Sequence, residues 1–142
     1  MLTSSRNQFK GKVKSIKKGV VNDEIVIQLS GGTELTSIIT ETSTTALGLK
    51  EGKEVIALVK APWVILATDL EGIRLSARNQ LCGKVKEVKT GSVNSEVVVS
   101  LDGGDELVAI VTCESEKKLG LAPGKKVTAL IKASHIIVGV AE

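Results

Sequence analysis

The residues of this chain that could do chemistry recur at a fixed interval. Ser4 and Arg6 return as Ser76 and Arg78, Thr40 and Ser43 as Thr112 and Ser115, and Lys60-Ala61 as Lys132-Ala133. Hydroxyls, cations and backbone N–H groups are what a tetrahedral dianion requires. Such an ion has only acceptor oxygens and is held where water is partly excluded. The bland reading of the same residues is that the arginines and lysines are solvated charges and the hydroxyls cap turns. Spacing alone leans towards the bland reading. Repetition moves the balance only partway, because duplicated copies keep structural residues too.

Catalysis has little to work with. The single histidine, His135, stands where the first copy has Trp63, inside an apolar run, and suits packing better than proton transfer. No His/Cys cluster has metal-ligand spacing, so no free cation is expected. Gly31-Gly32 leads into a strand pattern rather than a helix, which excludes a phosphate loop of the P-loop kind. Glu24 and Glu96 repeat, but a hydrogen-bonding turn role fits them better than acid/base work. The chain is therefore expected to be no enzyme and to need no cofactor.

Composition narrows the partners. Nineteen basic and 16 acidic residues give a net charge of +3 over 142 residues, too mild to imply nucleic acid. One Phe, one Trp and no Tyr leave no stacking platform for single strands. Cys82 and Cys113 form no spaced motif and suit a reducing compartment as ordinary small residues. The first residues lack an apolar signal core, and no run approaches the roughly 18 apolar residues of a membrane span. These features predict a cytoplasmic protein with neither a membrane nor a nucleic-acid partner.

The elements that must position the polar residues are duplicated with them. At an offset of 72 residues, 33 of the 64 positions from Ser4 to Ala67 are identical without a gap. The chain thus reads as two modules, residues 1–70 and 71–142. A module of this size buries only about 60% of its unfolded surface and gains by packing on a neighbour. Within the first module, Lys10 to Ile16 alternates as a strand with one wet face. Glu24 to Leu29 is rich in β-branched residues, and Glu34 to Thr40 reads as a third strand. Ser30-Gly31-Gly32-Thr33 and Asp102-Gly103-Gly104-Asp105 are hairpin turns. Thr42 to Leu47 suits one helical turn that Gly48 stops, as Gly120 does in the second copy. Lys53 to Lys60 and Trp63 to Thr68 complete five strands. The pattern predicts an all-β chain of two tandem OB-like five-stranded barrel modules, each with a short helix. Asp69-Leu70-Glu71-Gly72 carries turn chemistry and reads as the linker.

Leu75-Ser76-Ala77-Arg78-Asn79-Gln80, followed by Gly83, resembles the opening signature of the Mop module, or molbindin. Gly19-x-Val21-Asn22-x-Glu24 and Gly91-x-Val93-Asn94-x-Glu96 resemble its second signature. Lys60-Ala61-Pro62-Trp63-Val64 and Lys132-Ala133-Ser134-His135-Ile136 resemble its closing one. The resemblance covers nearly the whole chain twice, and is best to the tandem, di-Mop form.

That resemblance implies a cytoplasmic protein that binds molybdate, with tungstate as the near-identical alternative, for storage, buffering or homeostasis. It implies a homotrimer of two-module chains with the anion at module and subunit interfaces. One kind of site would take Ser4 and Arg6, or Ser76 and Arg78, from one module and Lys132 and Ala133, or Lys60 and Ala61, from the facing one. The arginine would offer its backbone N–H as much as its guanidinium. Thr40, Ser43, Thr112 and Ser115 would line the same seam. A second kind would lie on the three-fold axis near Gly19, Val21 and Asn22, and Gly91, Val93 and Asn94. Two departures stand out: Ser5 replaces the alanine found at Ala77, and Pro62, with neither N–H nor hydroxyl, replaces Ser134. The alternatives are an OB-type oligonucleotide or protein interaction module, and an excised molybdate-sensing regulatory domain.

Overall fold

The computed structural model describes residues 1–141. The first repeat gives β1 (Asn7–Lys17), β2 (Asn22–Leu29), β3 (Glu34–Thr40), α1 (Glu41–Ala46), β4 (Glu54–Val59) and β5 (Ile65–Ala67). The second gives β6 (Asn79–Thr90), β7 (Asn94–Leu101), β8 (Glu106–Thr112), α2 (Cys113–Leu119), β9 (Lys126–Ile131) and β10 (Ile136–Gly139). A 3-10 turn precedes each last strand, at Ala61–Trp63 and Ala133–His135. Pro62 sits in the first turn of the former, where its fixed φ suits a helical start. The expected strand from Trp63 to Thr68 is shortened accordingly. The first strand begins earlier than its alternation suggests, because Asn7 already pairs with Val59.

All pairings are antiparallel, and they form two five-stranded sheets in the orders β10-β4-β1-β2-β3 and β5-β9-β6-β7-β8. The last strand of each repeat therefore lies in the sheet of the other. Ile136 pairs with Val59 and Ile65 with Leu130. The expectation that each module closes with its own fifth strand is corrected here: residue 70 divides the sequence repeats but not the sheets. In the first sheet the curl closes where Ser37 Oγ donates to the Ile136 carbonyl at 2.8 Å. The second copy has Ala109 at that position and lacks the bond.

Alternation decides the faces. In β2, Ile25, Ile27 and Leu29 are buried, and in β7 Val97, Val99 and Leu101 are. Ile136 and Val138 of β10 join Val55, Ala57 and Val59 of β4 in one continuous core that spans both repeats. The register of β1 shifts between Val13 and Ser15, and that of β6 between Val85 and Glu87. Such bulges bend a strand and raise its twist, which lets one long strand serve both halves of a small barrel. Gly11, ahead of the bulge, lets β1 and β2 approach closely, because a Cβ there would stand 2.6 Å from the Gln28 carbonyl oxygen.

The linker is ordered by its own turn chemistry. Gly72 takes φ of 78°, and the Ile73 N–H reaches the Leu70 carbonyl at 3.1 Å. The hairpin tips of the two repeats also meet. Asp105 accepts from the backbone N–H of Gly31 at 3.1 Å and of Thr33 at 2.9 Å. Gly104, with φ of 109°, lies so close to the Gly31 carbonyl that a Cβ would collide with it. Both cysteines are free.

Candidate anion-binding site

The Ser-x-Arg-Asn segments lie on the seam between repeats, and the asparagine anchors each of them. Asn79 is buried. Its Nδ2 donates to the Thr36 carbonyl at 2.8 Å, and its Oδ1 accepts from the Thr36 N–H at 2.7 Å. Asn7 does the same to Val108 of the other repeat, at 2.8 Å in both directions. Each amide thus acts as one extra strand residue on the edge of β3 or β8. In the sequence these asparagines stand only as part of a signature. Their repetition was the available signal.

The arginines cross the same seam. Arg78 forks onto Glu24 at 2.8 and 2.7 Å, and Arg6 Nη2 reaches Glu96 Oε1 at 2.6 Å. The Arg78 fork holds the Glu24 carboxyl below its usual range, and Glu24 in turn raises Arg78. The turn role expected for Glu24 and Glu96 gives way to arginine pairing across repeats. Ser4 and Ser76 are exposed beside these arginines.

Strand register fixes where the lysines stand. Asn7 is opposite Val59, one residue before Lys60, and Asn79 is opposite Ile131, one residue before Lys132. Within one chain, each Ser-x-Arg segment therefore lies beside the Lys-Ala turn of its own repeat. Strand register alone does not bring Ser4 and Arg6 to Lys132 and Ala133, or Ser76 and Arg78 to Lys60 and Ala61. Ala61 and Ala133 are buried, and Lys60 and Lys132 are exposed. Lys60 Nζ sits 5.3 Å from the centre of the Trp63 ring, and Trp63 packs on His135 with ring centres 4.7 Å apart. The histidine thus has the packing role its apolar run suggests.

Thr40 and Thr112 are helix N-caps. Thr40 Oγ1 accepts from the Ser43 N–H at 3.1 Å and lies 2.9 Å from its hydroxyl; Thr112 and Ser115 repeat this at 3.0 and 2.9 Å. Capping is their ordinary use. Gly19, Val21 and Asn22 form the turn packed over α1, with Val21 O accepting from the Glu41 N–H and Asn22 opposite Thr40. Gly91, Val93 and Asn94 form the same turn over α2. Asp23 anchors the first of these turns. The Gly19 N–H, at 3.0 Å, is the main cause that holds its carboxyl below the usual range, with Thr44 and Lys18 adding to it.

The structure brings these sets together in a definite way. Glu24 pairs with Ile38, two residues before Thr40, so its arginine partner Arg78 stands at the Thr40 end of β3. Arg78, Thr40, Ser43 and the Gly19–Asn22 turn thus share one end of the first sheet. Arg6, Thr112, Ser115 and the Gly91–Asn94 turn share the matching end of the second. A cleft of about 680 Å³ lies elsewhere, between Lys10, Lys12, Gln28, Glu54 and Ala141, and none of the expected site residues lines it. Among the described residues no cluster of His, Cys, Asp or Glu could hold a metal ion, and no helix is long and apolar enough to cross a membrane.

Tandem β modules joined by a polar seam define a class, and comparison gives it a name. The TOBE domain matches residues 3–66 and again 75–138, and the chain belongs to the TOBE-domain family. It is similar over nearly its full length to a crystal structure of the cytoplasmic molybdate-binding protein ModG with molybdate bound. Identity is 52%, 99% of this chain and 100% of that one are covered, and the TM-score is 0.94. It is 44% identical over 137 residues to the molybdenum-pterin-binding protein MopA of Rhodobacter capsulatus, covering 96% of this chain. It is 44% identical over 140 residues to the molybdenum transport protein ModE of Azotobacter vinelandii, covering 99% of this chain. The chain spans about half the length of these two relatives, 52% in each case. The names of these relatives describe molybdate binding, molybdenum-pterin binding and molybdenum transport rather than a catalysed reaction.

Proposed function

We propose that this chain binds molybdate, or tungstate in its place, at the seams between its repeats and between copies of itself. It would store or buffer the anion in the cytoplasm without a cofactor. The observation that carries this reading is the full-length match to ModG, at a TM-score of 0.94 and 52% identity. The polar geometry supports it. Arg78 stands with Thr40 and Ser43 at one end of the first sheet, and Arg6 with Thr112 and Ser115 at the matching end of the second. A trimer of chains would bring the Ser-x-Arg segment of one copy against the Lys-Ala turn of the next. The axial site near Gly19, Val21 and Asn22, and Gly91, Val93 and Asn94, belongs to the same proposal.

A second reading has its own support. The chain spans 52% of the ModE and MopA relatives, so the same anion sites would also serve as the sensing half of a longer regulator. Calorimetric titration with molybdate, beside sulfate and phosphate, tests what both readings share. Saturable molybdate binding at more than one ion per chain, with sulfate and phosphate measurably but far more weakly bound, is expected. No heat with molybdate would reject the proposal.

A further inference from the structure

The arginines of the proposed anion segments are already engaged. Arg78 places Nη1 and Nη2 on the two carboxylate oxygens of Glu24, and Arg6 reaches Glu96. The arginine side chains are 48–49% exposed, whereas the glutamates are only 21–23% exposed. In both cases the arginine comes from one repeat and the glutamate from the other. The same arrangement thus forms twice, in sequences identical at only about half their positions.

This pairing changes what an arriving dianion meets. Arginine and carboxylate make short, charge-assisted bonds, bidentate where two nitrogens engage. A guanidinium so engaged is largely neutralised. On the proposed reading the anion is then received by donors held locally: the arginine backbone N–H beside the anchored asparagine and the Thr–Ser caps, with the exposed serine hydroxyl and one lysine next to them. Fixed donors select by size, because a smaller ion cannot reach all of them at once. A second charge on a long flexible stem does not select in this way, because it follows an ion of either size.

We propose that Glu24 and Glu96 determine the specificity of the anion sites: by holding Arg78 and Arg6 across the seam, they keep the guanidinium from closing on smaller dianions such as sulfate. The inference rests on the reading that the Ser-x-Arg segments receive molybdate. Glu24 and Glu96 are positioning residues and need not touch the anion.

The test is calorimetric titration of the whole chain with sodium molybdate and sodium sulfate. It compares the unaltered protein, the pair Glu24→Gln with Glu96→Gln, and the pair Glu24→Asp with Glu96→Asp. The glutamine pair should bind sulfate more tightly by on the order of tenfold, with a smaller change for molybdate, so that discrimination narrows. The aspartate pair keeps the carboxylates and should keep the discrimination. An unchanged molybdate-to-sulfate ratio in the glutamine pair overturns the inference. So does equal narrowing in the aspartate pair, which would mark the glutamates as packing groups. Should the double glutamine variant not fold, Glu24→Gln alone leaves the Arg6–Glu96 contact in place. Sulfate must then tighten at half the sites, and its failure to do so overturns the inference equally. If the unaltered protein binds neither anion, the site reading fails and this inference with it. If it binds molybdate and the ratio does not move, only this inference fails.

Discussion

Asn7 and Asn79 hold the seam by imitating a peptide group. Each offers one donor and one acceptor to a single residue on the edge of the other sheet, Val108 or Thr36. Asn79→Ala would leave the N–H and C=O of Thr36 unpaired in a part-buried position. The expected cost is about 2 kcal/mol or more, read as a lowered midpoint in urea at an unchanged slope. A shift near zero would show that water replaces the amide freely. The two repeats also reveal a compensated exchange. The first copy has Asp23 and Thr44 where the second has Ser95 and Glu116, so each keeps one carboxylate at the junction of turn and helix. Hydrogen bonds from Ser95 and Thr90 hold Glu116 low, as the Gly19 N–H holds Asp23 low. Because the folded value of Asp23 lies below its ordinary 3.8, its contribution is complete above that ordinary value. It is lost as pH falls through the lowered one. Asp23→Ser should therefore destabilise at neutral pH, and the difference from the unaltered protein should shrink in acid. Adding Thr44→Glu should restore part of the loss. Melting curves across pH check all three, and a pH-independent difference would contradict the assignment.

The strand exchange sets the scale of the element. Since β10 pairs with β4 and β5 with β9, a chain ending at residue 132 should open the first repeat rather than the second. Hydrogen exchange should rise along Glu54–Val59 and leave Lys126–Ile131 paired with β6. Selective loss of protection in β9 would show self-contained modules instead. The strands themselves were legible in sequence, because one wet and one dry face alternate whichever sheet receives them. For the same reason the exchange was not legible: Ile65-Leu66-Ala67 records a buried Leu66 but not its neighbour. The hairpin turns were readable from Gly-Gly pairs, yet not that the tips pack on each other, because that contact lies 72–74 residues apart. At the site, residue types and repetition were readable. The capping geometry of Thr40 and Ser43 was anticipated as the bland alternative. The partners of Asn7, Arg6 and Arg78 were hidden, because they lie 101, 90 and 54 residues away in sequence.

At the scale of the molecule, a single chain leaves more surface in water than a compact monomer should. Its accessible area is 8384 Å², against about 7000 Å² expected for a compact monomer of 14.9 kDa. Val20, Val21 and Val93 at the turn tips and Ile65 and Ile137 on the outer strands are exposed by 55–95%. Association of chains would cover such groups. It would also bring the Ser-x-Arg segment of one copy against the Lys-Ala turn of the next, as the proposed sites require. Anion bound at those seams, as proposed, would stabilise the assembly by mass action. The most direct test is sedimentation equilibrium with and without molybdate, with the molybdenum content of each species measured. Our account predicts a multimer that carries more than one molybdenum per chain and dissociates less readily when loaded. Molybdenum riding with a single chain, or absent from the protein altogether, would contradict it.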